Sequence, residues 1–375
     1  MAIAEILFAD MRHLYVGSAL ASIGLAMFLR YLAKPHKMDL TEAAFRVKCG
    51  HQTTGGFDSS LAASNFHPTD VSVGCVKTQM QLTEELSNFL GTLHGGVSAL
   101  LVDVIGTYAI MAGGLFPGVT TDISVDYTAA APIGSTVIGE GKLLKGGRNL
   151  AWCEVTLTTP EGKLLAKGRM TKFVGGRLAS VYYIVMNLPN WIRCPLSARA
   201  ISTTPSAQRT ACPKSTLPVT EEGKTEYFRH FALCQPEDFA FIGFDRMFTG
   251  EGLRRVVEEE KLPGNVKFDI KVGPLLTNYL NAFHGAAAAA MIDDIGTAAL
   301  VDYGCPPGAS VNLSVSYFSG APARAKLIAE SRILRGGQTL GFVEVEIRCQ
   351  RTNRLYYKGS LTKYGKGAST GSTKK

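Results

Sequence analysis

Two stretches of the chain are apolar almost without interruption, others alternate apolar with polar residues, and the whole succession occurs twice. Leu93–Thr107 reads LHGGVSALLVDVIGT and Phe283–Thr297 reads FHGAAAAAMIDDIGT, the same phrase with an offset of 190 residues. An apolar run of this length with no proline predicts a buried helix, in the first copy from about His94 through about Met111. Val119–Tyr127 (VTTDISVDY) and Ala309–Tyr317 (ASVNLSVSY) then alternate with the β-branched and aromatic content of strands, and Ala131-Pro132 and Ala321-Pro322 end them at matching positions. Gly139–Lys145 and Ala329–Arg335 follow, each stopped by a Gly-Gly pair. Leu150–Thr158 and Leu340–Cys349 alternate again, and Leu164–Phe173 and Leu355–Tyr364 close the two copies. The register slips by one residue at the last hairpin, Pro160-Glu161-Gly162 against a longer Arg351-Thr352-Asn353 turn. Each copy is therefore read as one long apolar helix followed by an antiparallel meander, an α+β pattern and not a parallel βαβ one.

The same patterning divides the chain into residues 1–34, 35–174, 175–236, 237–366 and 367–375. In the first segment, His13–Leu29 carries no formal charge and lies between Arg12 and Arg30. Seventeen helical residues reach about 25 Å, enough for a thin hydrocarbon core with the arginines snorkelling. Gly17, Ser18, Ala21, Ser22 and Gly24 suit packing against another membrane helix. Glu5 and Asp10, with no clean small-residue cleavage site, argue for a retained span over residues 13–32 and against a cleaved leader. Lys34, His36 and Lys37 favour the rest of the chain on the negative side, matrix or cytosol. Val181–Ile192 is apolar but short and broken by Pro189, which suits a docking segment. Ser197–Thr220 reads as an exposed Ser/Thr/Pro-rich linker, and the small basic tail as disordered.

Composition narrows the function classes. With 46% hydrophobic and 19% charged residues over 375 positions the chain is globular. A net charge of +8 favours an anionic partner, but the basic residues are interleaved with acids, which excludes a nucleic-acid face. The eight cysteines are scattered with no CxxC pair, as expected of reduced thiols, and no zinc or other metal site is expected. The chemistry is expected in the repeated phrase. Glycines at a helix start let a backbone approach a ligand, and the unbonded N–H groups there suit an oxyanion. Asp103 lies eight residues beyond Gly95 in a run that is otherwise almost wholly apolar, and Asp293 repeats it. Burying a carboxylate is costly unless it is hydrogen-bonded or used.

This constellation, with NFLGTLHGGVSALLVD (Asn88 to Asp103), resembles the hotdog-fold acyl-CoA thioesterases, in the branch of the phenylacetate-pathway thioesterase and thioesterase superfamily member 2. The resemblance covers about Asn65 to Val174 and Arg246 to Tyr364. It implies a tandem double hotdog, a long central helix wrapped by antiparallel sheet in each repeat, behind an N-terminal single transmembrane helix. It implies hydrolysis of fatty acyl-CoA to the free acid and coenzyme A, with no cofactor beyond the coenzyme A of the substrate. Asp103 and Asp293 would be general base or nucleophile, Gly95 and Gly285 would polarise the thioester carbonyl, Asn88 and Asn278 would help hold the water or thioester, and Thr120 and Ser310 would supply the family's strand hydroxyl. His94 and His284, with Gly96, would shape the helix start beside the substrate. Lys145, Arg148, Arg169, Lys172 and Lys363 would be candidates to contact the coenzyme A phosphates.

Family sites lie across a two-fold interface, so the tandem chain is expected to form one pseudo-dimer, which a higher oligomer could extend. Asn88 and Gly95 would then face Asp293 and Ser310, and Asn278 and Gly285 would face Asp103 and Thr120. Three departures mark the second copy: Ala286 for the second glycine, Asn281 where the first copy has Gly91, and an extra acid at Asp294. VGSALASIGLAMFLRY is similar to the membrane helix of the cytochrome c oxidase subunit VIc family, which implies the mitochondrial inner membrane with the hotdog domains on the matrix side. A second reading is accordingly an accessory subunit of a respiratory membrane complex on a recruited scaffold. A third is a dehydratase on the same fold, which would place a His-acid pair differently.

Overall fold

A computed structural model of the chain describes residues 57–88, 90–175, 253–256, 262–278, 280–337 and 339–365. The expected membrane span, docking segment, linker and tail fall outside these residues. All the described residues but Gly175 belong to one compact unit, formed by Met38–Val174 with Pro195–Lys375.

Each repeat holds one long helix, α1 (Gly95–Ala112) and α2 (Gly285–Tyr303), against antiparallel strands. The strands are β1 (His67–Ser72), β2 (Cys75–Gln81), β3 (Val119–Tyr127), β4 (Thr136–Gly146), β5 (Leu150–Thr158) and β6 (Leu164–Phe173) in the first repeat. In the second they are β7 (Arg254–Val256), β8 (Lys267–Lys271), β9 (Ala309–Tyr317), β10 (Lys326–Gly336), β11 (Leu340–Cys349) and β12 (Leu355–Tyr364). The opening pairs β1–β2 and β7–β8 are absent from the sequence reading. They are short and carry Pro, Asp, Lys and Gln, so their alternation is too polar to stand out from a loop.

The order in the sheet is β1-β2-β4-β5-β6-β3-β9-β12-β11-β10-β8-β7. This corrects the simple meander: the strand after each helix does not pair with its successor but crosses to the far edge of the repeat. That placement has a physical consequence. A bare edge strand presents unpaired N–H and C=O groups, and here β3 and β9 satisfy each other, with Asp122 opposite Ser316, Ser124 opposite Ser314 and Asp126 opposite Asn312. Asn312 adds a side-chain bond across the seam to Asp126 at 2.8 Å. Two six-stranded halves become one twelve-stranded sheet. Each half with its helix is a hotdog, and the two repeats make the tandem pair.

Alternation along the strands turns Ile123, Val125, Cys153, Val155 and Met170 inward to the first core, and Leu313, Val315, Val343, Val345 and Leu361 to the second. α1 is apolar enough by length and composition to pass for a membrane span, with mean hydropathy 1.6, yet it is buried beneath its own sheet. Its neighbour explains the alanine run of the second phrase. Ala286 to Ala290 are all fully buried, and a Cβ placed on Gly96 would collide with the Ala290 side chain and lie 2.9 Å from its Cα. The helices meet there backbone to backbone, which only the smallest residues permit.

Gly96→Ala is therefore expected to destabilise the protein by about 1–3 kcal/mol through overpacking, read by urea unfolding. Ala290→Gly in the same chain should return part of that loss. Additive losses would show that the two positions are not in contact.

Candidate active site

The site begins with a change of parity in two strands. In β3 the pairing with β6 shifts between Thr120 and Asp122, and in β9 the pairing with β12 shifts between Ser310 and Asn312. The extra residue, Thr121 or Val311, is a bulge, and a bulge re-aims the side chains beyond it. Without it Thr120 and Ser310 would face away from the helix. With it, Thr120 lies opposite Lys172 and Ser310 opposite Lys363, and all four converge on the helix aspartates.

The convergence is specific to one oxygen of each carboxylate. Thr120 Oγ1 donates to Asp103 Oδ1 at 2.7 Å and Lys172 Nζ lies 3.1 Å from the same atom. Ser310 Oγ donates to Asp293 Oδ1 at 2.8 Å, with Lys363 Nζ at 3.4 Å. The other oxygen of each acid faces the opposite repeat. Asp293 Oδ2 abuts the Cα of Gly95, where a Cβ would collide with it, and Asp103 Oδ2 lies 4.0 Å from His284 Nδ1.

The facing edge is the start of the other helix. His94 is the N-cap of α1 in extended conformation and accepts the Gly96 N–H at Nδ1, 2.9 Å; His284 does the same for Ala286 at 3.0 Å. With Nδ1 accepting, the ring proton sits on Nε2, and each Nε2 meets a carboxylate. His94 Nε2 is 3.3 Å from Asp294, and His284 Nε2 is 2.9 Å from Asp58, from the 3-10 turn Phe57–Ser64. The two sites thus use acids of different origin for the same task, fixing the histidine ring.

Electrostatics follow from these contacts. Burial pushes the Asp103 carboxyl up, but Lys172, His284 and the Thr120 hydroxyl more than offset this and hold it below its ordinary value of 3.8. Burial pushes His284 down, and Asp58 and then Asp103 reverse this and raise it above its ordinary value. His94, Asp293 and Asp294 offer ligand atoms within 4.8 Å of one another, a grouping the sequence reading did not foresee. A cation there would compete with the Lys363 ammonium already on Asp293.

The predicted residues fall into four groups. Asp103, Thr120, His284 and Gly285 gather at one site; Asp293, Ser310, His94 and Gly95 gather at the other. Asn88 and Asn278 shape the loops before the helices: Asn88 Oδ1 accepts from Leu90 and Thr92 backbone N–H and Thr92 Oγ1, and Asn278 Oδ1 from Leu280 and Ala282. Only their amide nitrogens are left by these bonds to meet a ligand. Lys172, Lys363 and Gly96 require correction. Both lysines are buried against the aspartates, so they cannot reach out to coenzyme A phosphates, and the Gly96 N–H and Cα are taken by His94 and Ala290. Lys145 and Arg148 are exposed at the β4–β5 hairpin, Lys145 over the Trp152 ring at 5.7 Å. Arg169 lines a hollow of about 310 Å³ with Trp152, Asp122 and Thr171, side chains that alternate with the inward-facing core positions.

The departures of the second copy are accommodated. Gly91 has φ +72° and Asn281 φ +57°, and asparagine is among the non-glycine residues that best tolerate that left-handed region. Ala286 still donates its N–H to the cap, and Asp294 holds His94. Two tyrosines were missed. Tyr127 OH donates to Gly95 O at 3.0 Å and Tyr317 OH to Gly285 O at 2.9 Å. Their repetition at the 190-residue offset was the available signal. Asp58 has no acidic counterpart at that offset, where Phe248 stands, so no repeat could disclose it.

An antiparallel sheet wrapped on a helix, duplicated, defines a tandem hotdog pair, here with a buried acid of each repeat facing the helix start of the other. The thioesterase superfamily model matches residues 90–166 and 280–355, once on each repeat. Acyl-coenzyme A thioesterase 13 of Mus musculus is 43% identical over 99 residues, 26% of this chain and 71% of its own length. The Homo sapiens protein of that name is 41% identical over 104 residues, 27% of this chain and 74% of its own. The crystal structure of zebra fish thioesterase superfamily member 2 shares 39% identity over 35% of this chain and 94% of that one, with a TM-score of 0.33. The chain belongs to the thioesterase superfamily.

Removing the ammonium beside Asp103 tests the ion pair. Lys172→Met leaves a buried carboxylate uncompensated and should cost about 3–5 kcal/mol at neutral pH. Because Asp103 is held below 3.8, its share of stability is present above that value and is lost as pH falls through the folded pKa. The gap between wild type and variant in denaturant unfolding should therefore be widest near neutrality and narrow as pH drops below 3.8. A gap independent of pH would mean that packing of the lysine stem, not its charge, is what matters.

Proposed function

We propose that the chain hydrolyses acyl-CoA thioesters to the free acid and coenzyme A at two composite sites, one at Asp103 with His284 and Gly285, the other at Asp293 with His94 and Gly95. The observation that carries this reading is the division of labour within each carboxylate. One oxygen is neutralised by lysine and hydroxyl while the other faces a helix N-terminus of the other repeat.

The chemistry follows from that arrangement. A thioester carbonyl at the start of α2 would be polarised by the Gly285 N–H and the helix dipole, where negative charge develops as the carbon becomes tetrahedral. Asp103 Oδ2 takes a proton from the attacking water as the new C–O bond forms. Collapse of the oxyanion then breaks the C–S bond, and the proton held on Asp103 passes to the departing thiolate. Lys172 and Thr120 keep Asp103 ionised and fix its rotamer, so that Oδ2 alone is available as base. Asp293, Lys363 and Ser310 would do the same toward Gly95. Coenzyme A enters as part of the substrate, and Lys145, Arg148 and Arg169, all exposed, are the predicted basic residues not taken up by the aspartates and would be the ones to meet its phosphates.

The alternative, an accessory subunit of a mitochondrial inner-membrane complex anchored through residues 13–32, is supported by the sequence of that segment. The retained acid, lysine and hydroxyl at both sites support the enzyme, and location in that membrane with matrix-facing domains is compatible with either reading.

The full chain should hydrolyse acyl-CoA, followed by release of the free thiol across short, medium and long acyl chains. Asp103→Asn and Asp293→Asn are each expected to remove the turnover of one site, and the double variant to lose about 10²–10⁴-fold. No turnover by the unaltered chain at any length would end the enzyme reading. Gly95→Ala drives a methyl into Asp293 Oδ2, whereas a Cβ on Gly285 meets nothing nearer than 3.2 Å. The first substitution should therefore abolish the Asp293 site, and the second should lower kcat at the Asp103 site by less than tenfold. Equal losses would contradict the difference in packing.

A further inference from the structure

Glycine at positions 95 and 285 brings a difficulty with it. A Cβ on Gly95 would collide with Asp293, and one on Gly285 would press on the Tyr317 ring at 3.2 Å, so the close approach at each site favours glycine. Glycine is also the residue with the most backbone freedom, and a donor meant for an oxyanion must be fixed before the reaction starts. The first N–H groups of a helix have no carbonyl within the helix to hold them. The peptide after each glycine is nevertheless gripped at both ends. In the first repeat the Gly96 N–H donates to His94 Nδ1 at 2.9 Å and the Gly95 carbonyl accepts from Tyr127 OH at 3.0 Å. In the second, the Ala286 N–H donates to His284 Nδ1 at 3.0 Å and the Gly285 carbonyl accepts from Tyr317 OH at 2.9 Å.

We infer that Tyr127 and Tyr317 are positioning residues that, with the capping histidines, clamp the peptide following Gly95 and Gly285. The peptide before each glycine is held at its carbonyl by the Ser98 or Ala288 N–H, so fixing the second peptide removes the glycine's remaining freedom and aims its N–H at the thioester carbonyl. The inference rests on the proposed hydrolysis for its consequence in rate, and on the geometry alone for the clamp. Each tyrosine comes from the strand after its own helix, so its position is set by the same strand that carries Thr120 or Ser310 to the aspartate. One strand thus orders both halves of the chemistry: near its start it fixes the acid of one site, and at its end it fixes the donor of the other. Burial, and then the charge of Asp293 for Tyr127 and of Asp103 for Tyr317, push both phenols well above their ordinary range, so each stays protonated and a donor.

The test uses the full chain and the variants Tyr127→Phe, Tyr317→Phe and both together, which keep the ring and remove the hydroxyl. Backbone amide exchange at Gly96 and Ala286, read by NMR without substrate, should quicken about tenfold at Gly96 in the first variant and at Ala286 in the second, with each untouched by the other. The double variant should lose about tenfold in kcat with KM unchanged and circular-dichroism melting close to wild type. Unchanged exchange at both amides overturns the clamp, as does exchange that quickens throughout the sheet while kcat per folded molecule stays constant. If the wild-type chain hydrolyses no acyl-CoA, the proposed function falls, and the exchange rates still decide the clamp by themselves.

Discussion

A carboxylate inside an apolar helix has to be compensated, and the rest of this molecule is arranged around doing that twice. Transfer of an isolated charge into such surroundings is prohibitive. Lys172 and Lys363, buried themselves, can each be accommodated only because an aspartate is there to receive them. The pairing uses a single oxygen, which leaves the second with a defined direction and a defined charge. Structural and chemical demands are met by the same three side chains, and this is why hydroxyl, lysine and acid recur together in both repeats.

The second constraint is proximity. The acid of one repeat must come within reach of the helix start of the other, which requires the two helices to touch near their N-termini and the two sheets to share a seam. Gly96 and Ala290 supply the first, and β3 with β9 the second. Closeness selects glycine where order would favour almost any other residue. The histidine caps and the two tyrosine hydroxyls return that order through side chains, so conformational freedom is given up locally and not through the helix as a whole.

Duplication within one chain frees the two sites to differ, since each repeat need not be compatible with an identical copy of itself. They do differ. His284 is held by Asp58 from a turn at the start of the described first repeat, whereas His94 is held by Asp294, the neighbour of the acid that faces it. Asp293 lies against Gly95 more tightly than anything lies against Gly285. The same fold thus offers two environments for one set of side chains, with the extra acid of the second repeat serving as a ring-fixing partner.

The amino-acid sequence by itself determined the two helices, the strands that follow them, the repeat, and the acids and glycines of the repeated phrase, because these are periodic or duplicated and each is visible within a short window; that the acid of one copy faces the glycine of the other was implied only by the family resemblance. It did not determine the place of β3 and β9 in the sheet, the opening strands, or the aim of Lys172 and Lys363. Lys172 and Lys363 fall on the inward parity of β6 and β12, with Met170 and Leu361, but a lysine near the end of an alternating strand reads as solvated until a carboxylate beneath it receives it. Asp58 is the clearest case: it has no repeat, no motif and no periodicity, and acquires its role only where the turn at Phe57–Ser64 meets His284. Local pattern records which face of an element is apolar; which polar group meets which depends on contacts between residues distant in the chain, and only the folded structure specifies those.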